Sequence, residues 1–585
     1  EQEERLREEA RSEEVVKRLL DYGMQVEGLL RNASTHAAGV VIGDRNLDAH
    51  VPLARAKEGE VVTQADMGAI TDIGLLKMDF LGLKNLTVIQ DAVNHIKVHI
   101  PDFDIEKVPL EDKPALDLLN RGETMGVFQL ESGGMVDTCQ KYGIQSIDDI
   151  IDLLALYRPG AMDFIPQMIA VKNGEPVKYD HPLEEQISGA TYGVMIYQEQ
   201  VQNAARVLAG YTLGGADILR RAMGKKKPSE MAKQREIFVK GAAETNQISA
   251  SNANKIFDKI AGFAGYGFNK SHSACYGHIS YWTAYLKANF PVEFLCGLLS
   301  NEINNTEKIA VFIAECHRMK IEVLPPDVNK SQLRFAPEKL ASGKMAIRYG
   351  LSAIKNVGEG AMKVALADRD ANGPFESMED FSNRLDTKAV NKRILENLVK
   401  AGAFDWTKET RSSLDARVEN VIASASSAHK DRASGQVSLF DTVDFGSAPE
   451  PDDAPQVLLE WPKEQRLETE KELLGFYISG HPLDAYRGII DADMYTRIGL
   501  IEDLDLSDRR KRHRFAGMIK HIEHKVTKAG KPFGVIHLED FTGTKEILAW
   551  SESYTPAREE GLLEPGSVIR LFGNVQEDDR NPESR

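Results

Sequence analysis

The hydrophobic pattern changes along the chain, and this change limits the fold. Residues 85 to about 328 carry the repeat of long amphipathic helices, whereas short strand-like segments separated by turns follow residue 500. The 585 residues, of which 42% are hydrophobic, supply material for about three to five cores. The sequence therefore predicts a multi-domain α+β protein that is mostly helical.

The strand-like segments near the end of the chain follow a basic run at 509–514. They are Phe515 to Ile522, Gly534 to Leu538, Lys545 to Trp550 and Ser567 to Val575, with a turn at 528–531. Short strands joined by turns favour an OB-type β-barrel, a common fold for binding single-stranded nucleic acid. We expect the barrel to be incomplete, because the sequence reaches Arg585 before it would close. The aromatic residues Phe533, Phe541 and Trp550 either stack on bases or belong to the core.

The segment from Leu219 to Lys227 contains five cationic side chains and no acid, in a chain whose formal net charge is −17. The negative net charge argues against general nucleic-acid binding. A local cluster of positive charge therefore indicates a binding site for a polyanion. Arg220 and Arg221 can grip phosphate oxygens with their planar forks, and Lys225 adds a point charge. The segment is therefore a candidate triphosphate site. A solvated surface run is the alternative.

We expect the same segment to form a short helix that Asp217 caps. Ile218, Leu219 and Met223 are predicted to face inward, and Gly224 to end the helix. The lysines would then lie on the connection to the next helix.

The segment 265–273 places glycine and hydrogen-bond donors before an aromatic helix. Such a loop can hold a nucleotide against its base and phosphates. The candidate contacts are Tyr266, Asn269, Lys270, Ser271 and His272. Ser271 or Ser273 is predicted to cap the helix. An ordinary helix-start loop above an aromatic core is the alternative, and the absence of a P-loop motif disfavours standard ATPase chemistry.

Cysteine usage and hydropathy restrict the class of protein further. The four cysteines, Cys139, Cys275, Cys296 and Cys316, form no C-x-x-C pair, which predicts buried free thiols rather than disulfides or zinc. The sequence has neither a signal peptide nor an apolar stretch long enough to span a bilayer. We therefore expect no membrane partner and a cytoplasmic location.

Four strings, taken together, resemble the alpha subunit of bacterial DNA polymerase III. They are residues 77–83 (KMDFLGL), 127–132 (VFQLES), 219–227 (LRRAMGKKK) and 265–272 (GYGFNKSH), in the family's order. The strings Tyr157 to Gly160 and Ile196 to Gln200 are also family-like, and we assign them no catalytic step. The resemblance implies a DNA-directed DNA polymerase that adds deoxynucleotides to a primer 3′ end.

In this family the carboxylates of a palm domain hold two Mg²⁺ ions, and Asp79 matches one of these carboxylates. On a strand, Lys77 and Asp79 would share one face, with the apolar residues Leu76, Met78 and Phe80 buried on the other. Lys77 would then be presented to phosphate and Asp79 to metal. A local salt bridge is the alternative. The family's upstream Asp-x-Asp pair has no counterpart before Asp79, and the acidic residues at 102 and 104 are interpreted as a surface turn.

The chain opens at Glu1 without methionine, so the resemblance implies an internal fragment lacking the amino-terminal PHP domain and most of the palm. We expect it not to extend a primer alone. The implied parts are a thumb remnant (1–33), a nucleotidyltransferase-type palm remnant (34–84), helical fingers (85–328), a helix-hairpin-helix region (329–435), a clamp-binding peptide (436–440), a linker with a helical segment (441–500) and a truncated OB-fold (501–585).

The string from Tyr349 to Gly360 resembles a helix-hairpin-helix, whose turn offers backbone N–H groups to a DNA phosphate. The candidate DNA contacts are Lys355, Asn356, Val357, Gly358 and Gly360. Asn356 replaces the usual glycine, and asparagine tolerates the left-handed conformation better than most residues. A purely structural hairpin is the alternative.

Gln436, Leu439 and Phe440 resemble the Gln-x-x-Leu-Phe peptide by which bacterial polymerases dock on the sliding clamp. Residues 423–435 are rich in alanine and serine, and residues 441–455 are rich in acid and proline. This composition predicts a flexible tether on both sides of the peptide. A disordered linker with incidental apolar residues is the alternative.

The favoured function is DNA synthesis in bacterial chromosome replication. The implied partners are primer–template DNA, deoxynucleoside triphosphates, the sliding clamp and other subunits of the replicase. Two alternatives stay open. One is an error-prone, damage-tolerant relative with the same chemistry. The other is a non-catalytic DNA- or clamp-binding scaffold, which would be favoured if the reading frame began near Glu1.

Overall fold

A computed structural model describes residues 4–29, 34–56, 59–225, 228–264, 267–386, 389–434, 458–490, 494–503, 511–527 and 530–576. The chain forms two compact units, residues 1–83 and residues 84–585.

The described residues of the first unit form three α-helices and four short strands. The helices are α1 (Glu4–Ser12), α2 (Glu14–Val26) and α3 (Met67–Asp72), and the strands are β1 (Gly39–Ile42), β2 (Leu53–Arg55), β3 (Val61–Thr63) and β4 (Leu76–Asp79). Two antiparallel pairs form, β1 with β4 and β2 with β3. A small core of Val51, Ile70 and Leu75 packs beneath them.

Strand β4 corrects one expectation about burial. Leu76 is 57% exposed, Met78 is 42% exposed and Phe80 is 65% exposed, so the apolar side chains near Asp79 are not buried. The alternation itself is as predicted. Among the described strands, β4 pairs with β1 alone, and this two-stranded sheet leaves the apolar side chains exposed.

Helices dominate the second unit up to residue 318, as the hydrophobic pattern predicts. They are α4 (Lys84–Lys97), α5 (Lys113–Asn120), α6 (Gly133–Tyr142), α7 (Ile147–Leu156), α8 (Ile165–Lys172), α9 (Glu185–Ser188), α10 (Gln198–Ala209), α11 (Leu213–Lys225), α12 (Pro228–Asn246), α13 (Ala250–Ala264), α14 (Lys270–Asn289), α15 (Pro291–Asn301) and α16 (Thr306–Arg318). The acidic residues at 102 and 104 do form a turn, because Asp104 caps the 3₁₀ helix Ile105–Lys107.

Helix α14 is the centre of this helical part. Its buried residues Tyr281 and Ala284 share a core with residues of α5 to α8. Gly277 of α14 lies so close to α7 that an added Cβ would be 2.4 Å from Ile151 Cγ1. This close packing fixes the first turns of α14, where the glycine-containing loop ends.

The next part joins a three-stranded sheet to four helices. The strands β5 (Val323–Leu324), β6 (Ala336–Lys339) and β7 (Met345–Arg348) form a sheet in the order β5-β7-β6. The helices are α17 (Glu359–Asn372), α18 (Met378–Arg384), α19 (Lys392–Lys400) and α20 (Arg411–Ser434).

Helix α20 corrects the predicted tether, because the chain is helical as far as Ser434. Alanine is the strongest helix former, and Ala425 is fully buried. Packing against the neighbouring helices overrides the linker-like composition.

The last part contains α21 (Lys463–Leu474), α22 (Arg487–Ile490), β8 (Arg512–Val526), β9 (Pro532–Glu539), β10 (Thr544–Ala549), α23 (Ser551–Glu559) and β11 (Val568–Asn574). The four strands form an antiparallel sheet in the order β10-β9-β8-β11, so all four predicted strands are present. Closure into an OB-type barrel stays a prediction. Phe533 stacks on Trp550 at 5.3 Å, and Trp550 is 55% exposed.

Two predictions from composition can be compared with the structure. Cys139, Cys296 and Cys316 are buried free thiols as expected, but Cys275 is exposed on α14. Among the helices that the structure describes, none combines the length and apolar character needed to cross a bilayer.

Candidate functional site

The glycine-containing loop, residues 267–272, is bonded to the strand-like segment that precedes α10. Phe268 N donates to Ile196 O at 3.0 Å, and Gln198 N donates to Phe268 O at 2.8 Å. These bonds make a short parallel bridge between Tyr197 and Phe268. The predicted site and the family-like string at 196–200 therefore lie side by side.

Asn269, rather than a serine, caps α14. Its Oδ1 accepts from His272 N at 2.9 Å. Ser273 is fully buried, and its hydroxyl donates to Ile151 O on α7. The prediction that Ser271 or Ser273 caps the helix is wrong, since asparagine is at least as good a cap and lies at the residue where helical geometry begins.

The carboxylate of Glu199 lies at the start of α14. It accepts hydrogen bonds from Lys270 N at 3.1 and 3.2 Å and from Asn269 Nδ2 at 3.1 Å. A helix N-terminus attracts anions, so an internal acid occupies the position that suits a phosphate oxygen.

Arg220 and Arg221 share one acidic partner, Asp217. Arg220 Nη2 and Arg221 Nε both lie 2.8 Å from its carboxylate oxygens. The hydrogen bond from Arg220 lowers the pKa of Asp217 below its ordinary value. The predicted cap role of Asp217 is wrong, because α11 begins four residues earlier at Leu213. Asp217 instead orients the arginine pair.

Two other expectations for this helix can be compared with its burial. Leu219 and Met223 face inward as predicted, but Ile218 is 59% exposed. Lys225 is the last residue of α11, and its side chain lies outside the described part of the chain.

A cavity of about 280 Å³ lies next to the loop. It is lined by Gln129, Met135, Leu154, Tyr157, Arg158, Phe268, His272, Ser273 and Tyr276. Rings and hydrogen-bond donors are both present, and none of the described residues that line the cavity is an aspartate or glutamate. His272 stacks on Tyr276 with ring centroids 4.4 Å apart. This chemistry suits a nucleotide, which has a flat base and anionic phosphates.

Two residues of this cavity have unusual local settings. Gln129 adopts the left-handed conformation, with φ 58°, which is uncommon outside glycine. The Arg158 guanidinium lies 4.2 Å from the centre of the Phe268 ring, and burial lowers the pKa of Arg158. A partly desolvated cation attracts an anion more strongly than an exposed one does.

A buried carboxylic acid lies beneath the loop. Tyr197, which is 1% exposed, donates its hydroxyl to Asp152 of α7, which is 5% exposed. Burial raises the pKa of Asp152 to about 7. The Lys270 ammonium lies 5.3 Å from the centre of the Tyr197 ring.

In the first unit, Asp79 and Lys77 share one face of β4 and are hydrogen-bonded to each other. The bond from Lys77 lowers the pKa of Asp79. His36 Nδ1 lies 3.9 Å from Asp79 Oδ1, and Asp79 is 44% exposed. Gly39 is opposite Asp79, and a Cβ there would be 2.7 Å from Lys77 Cε, so glycine makes room for the pair.

The donor set around Asp79 differs from the one that Mg²⁺ prefers. Magnesium prefers carboxylate oxygens and water in octahedral geometry. Across the described ranges, no group of three or more His, Cys, Asp or Glu residues could hold a metal ion. One carboxylate bonded to a lysine does not meet the needs of two such ions.

The predicted hairpin has an ordered turn. Asn356 adopts the left-handed conformation with φ 65°, and its Oδ1 accepts from Arg393 Nη2 at 2.8 Å. Val357 is buried, whereas Lys355 and Gly358 are exposed. An added Cβ at Gly358 or Gly360 would meet nothing within 4 Å, so the start of α17 is open to a ligand.

The remaining predicted site residues lie outside the part of the chain that the structure describes. They are Tyr266 of the loop and the clamp-like residues Gln436, Leu439 and Phe440.

Sequence reasoning missed several residues of the assembled site. They are Gln129, Arg158, Gln198, Glu199 and the arginine-orienting role of Asp217. Four of the five lie in or beside the family-like strings 127–132, 157–160 and 196–200, which was the available signal. Their roles depend on contacts between distant segments, which no local pattern contains.

Comparison with known proteins gives three matching family profiles. The profile of the "Bacterial DNA polymerase III alpha NTPase domain" matches residues 1–82. The profile of the "Bacterial DNA polymerase III alpha subunit finger domain" matches residues 85–246. A "Helix-hairpin-helix motif" profile matches residues 320–414, which contain the turn at Asn356.

Curated relatives named "DNA polymerase III subunit alpha" resemble nearly the whole chain. The protein of Caulobacter vibrioides is 42% identical over 97% of this chain and 49% of its own length. The Thermus aquaticus protein is 43% identical over 97% of this chain and 47% of its own length. The Escherichia coli K12 protein is 39% identical over 97% of this chain and 49% of its own length. The chain therefore spans about half the length of these relatives.

Proposed function

Because the chain belongs to the family of bacterial DNA polymerase III alpha subunits, we propose that it takes part in template-directed DNA synthesis during chromosome replication. The reaction transfers a deoxynucleotide to a primer 3′ end, so a triphosphate and a primer–template must be bound. The observation that carries the proposal is the assembly, in one unit, of the loop 267–272, the Arg220–Arg221 pair and a cavity lined by aromatic rings and hydrogen-bond donors.

The role proposed for these residues in the second unit is nucleotide binding. Arg220, Arg221 and Lys225 would contact phosphate oxygens, with Tyr266, Asn269, Lys270, Ser271 and His272 supplying the loop contacts. Arginine suits this task because its fork donates two parallel hydrogen bonds to a phosphate. Arg158 and Gln129 would contact the same ligand from the cavity.

A nucleotide titration tests this role. Mg²⁺-dATP is titrated into the 585-residue chain and into Arg220→Ala, and binding is followed by calorimetry. The variant should bind about tenfold or more weakly, since a charge-assisted bond contributes about 1.5–3 kcal/mol. Lys240→Ala is the matched control, because Lys240 is an exposed cation on the neighbouring helix α12. Equal nucleotide affinity of Arg220→Ala and the control would contradict the proposed role in nucleotide binding.

Asp79 is proposed as one ligand of the catalytic metals, and Lys77 as a phosphate contact. Two Mg²⁺ ions supply charge neutralisation in this chemistry when they are bound. Lys77 now holds Asp79, so a phosphate that binds Lys77 would release the carboxylate.

The hairpin at Lys355–Gly360 is proposed to bind a DNA phosphate through its exposed turn. The open start of α17 supports this role, as do the exposed Lys355 and the nearby Arg393. Lys355→Ala should weaken duplex binding and reduce the salt slope of log K by about one, as measured by fluorescence anisotropy. An unchanged salt slope would contradict it.

Gln436, Leu439 and Phe440 are proposed to dock on the sliding clamp, with other replicase subunits as further partners. Apolar side chains of such peptides fill a pocket on the partner, and the glutamine adds polar specificity. The double variant Leu439→Ala and Phe440→Ala should lose measurable clamp binding by surface plasmon resonance. Retention of wild-type affinity would rule the peptide out as the docking site.

A second candidate function is DNA or clamp binding without catalysis. It is favoured by one observation, the lack of a metal-holding group within the described residues. Primer extension by the chain itself separates the two functions.

A further inference from the structure

One side chain contacts both segments to which nucleotide binding is assigned. Gln198 Nε2 donates to Gly267 O at 3.1 Å, and Gln198 Oε1 accepts from Arg220 Nη1 at 3.3 Å. An amide has a donor and an acceptor end, so a single glutamine can hold a carbonyl and a guanidinium together. We propose that Gln198 is a positioning residue that couples the loop 267–272 to Arg220. This inference rests on the proposed nucleotide binding.

The backbone that carries Gln198 is held firmly. Tyr197 and Phe268 are bridged, and the Tyr197 hydroxyl is bonded to the buried Asp152. Gln200 Oε1 accepts from the N–H groups of Ile196 and Tyr197 at 2.8 and 2.9 Å. These three contacts fix the main chain beside Gln198. A displacement of the loop therefore moves the Gln198 side chain and, with it, Arg220.

Glycine at position 267 permits this close approach. A Cβ added there would lie 3.3 Å from Gln198 Cγ and 3.6 Å from Gln198 N. The first distance is tighter than ordinary carbon–carbon contact of about 3.5–4.0 Å. Any other residue would therefore push the loop and Gln198 apart.

The hydrogen bonds of Arg220 explain why the neutral Gln198 is a suitable partner for it. Asp217 holds Arg220 through Nε at 3.0 Å and Nη2 at 2.8 Å, while Gln198 holds the remaining nitrogen, Nη1. A phosphate that replaces Asp217 would find the guanidinium already oriented and its charge intact, because an amide does not neutralise it. Preorganised donors lose less entropy when the ligand binds.

Hydrogen exchange of the ligand-free chain tests the coupling directly. Arg220→Ala should speed exchange of the Phe268 and Gln198 amides when Gln198 is present. In the Gln198→Ala background, Arg220→Ala should have no further effect on these amides. Asn203→Ala removes an amide from the same helix without touching these contacts, and it should leave the exchange unchanged. Equal effects of Arg220→Ala in both backgrounds would overturn the proposal.

Nucleotide titration then tests the consequence for binding. With Gln198 present, the losses of Mg²⁺-dATP affinity caused by Arg220→Ala and Asn269→Ala should be non-additive by about three- to tenfold. In the Gln198→Ala background they should be additive, and persistent non-additivity there would overturn the proposal. Gln198→Glu should not rescue the coupling, because a carboxylate cannot donate to Gly267 O and neutralises Arg220.

The two experiments test the coupling through Gln198 and the proposed nucleotide binding separately. Coupled exchange without any nucleotide binding would remove the proposed function of the segments and leave the coupling standing. Nucleotide binding with uncoupled exchange would remove the role of Gln198 alone.

Discussion

The loop site of the second unit and the Asp79 site of the first unit differ in how completely their residues are held. In the loop site, Arg220 has three hydrogen bonds to two partners, and Asn269 and Lys270 are bonded to Glu199. Asp79, by contrast, lies 44% exposed on a two-stranded sheet, with Lys77 as its bonded side-chain partner.

This difference shows that two candidate sites on one chain can differ in preorganisation. Fixed dipoles and charges lower the cost of binding because they need little rearrangement. The loop site meets that condition with its own contacts. In the Asp79 site, the bonded carboxylate and ammonium group neutralise each other.

The largest expected effect is a lack of primer extension, which follows from the incomplete holding of the Asp79 site. The purified 585-residue chain, given Mg²⁺, primer–template and all four deoxynucleotides, should extend no primer in a gel assay. The reason is that the described residues include no group of three or more His, Cys, Asp or Glu that could hold a metal ion, whereas this chemistry uses two ions. Template-dependent extension that disappears in Asp79→Asn would reverse the comparison and make the first unit a complete catalytic centre.

A smaller effect should come from releasing the arginine pair from its internal acid. Asp217→Asn removes the carboxylate that competes with phosphate for Arg220 and Arg221. Exposed ion pairs contribute about 0.2–1 kcal/mol, so Mg²⁺-dATP should bind about 1.4- to fivefold more tightly in calorimetry. Asp258→Asn, which frees Arg235 on α12, is the control and should leave the affinity unchanged. Weaker binding in Asp217→Asn would mean that orientation outweighs competition.

The buried Asp152 beneath the loop predicts that the stability of the second unit depends on pH. The pKa of Asp152 is raised to about 7 by burial, whereas in the unfolded chain it returns to its ordinary range near 4. Between these values the folded state binds more protons, so the free energy of unfolding falls as pH rises towards 7. Above pH 7 the contribution of Asp152 no longer changes.

Asp152→Asn should remove this slope. Relative to the variant, the wild-type chain should lose on the order of 2 kcal/mol of unfolding free energy between pH 5 and pH 8. Urea denaturation at several pH values measures it. Asp148→Asn is a control on the same helix. Parallel pH profiles for wild type and Asp152→Asn would show that the buried acid does not titrate in this range.

Several features could be read from the sequence because they depend on local spacing. Alternation along 76–80 placed Lys77 and Asp79 on one face, as the structure confirms. The four strands after residue 511 follow from runs of strand-forming residues bounded by turns. The left-handed conformation of Asn356 follows from its place in the hairpin string.

Other expectations failed where packing outweighed a local signal. Residues 423–434 have a linker-like composition but extend α20, since alanine favours helix and Ala425 is buried against its neighbours. Ser273 is a good capping residue, yet α7 uses its hydroxyl through Ile151 O. In each case a partner distant in sequence changed the role of the residue.

By itself, the sequence determined the succession of helices and strands, the cationic segment at 219–227 and the family to which the chain belongs. These features rest on side-chain type and spacing, which any stretch of chain carries within itself. Only the tertiary structure decided that Asp217 orients two arginines, that Asp152 lies buried under the loop, and that Gln198 contacts Gly267, 69 positions along the chain. Such contacts depend on which surfaces meet when the helices pack, and that information is spread over the whole fold.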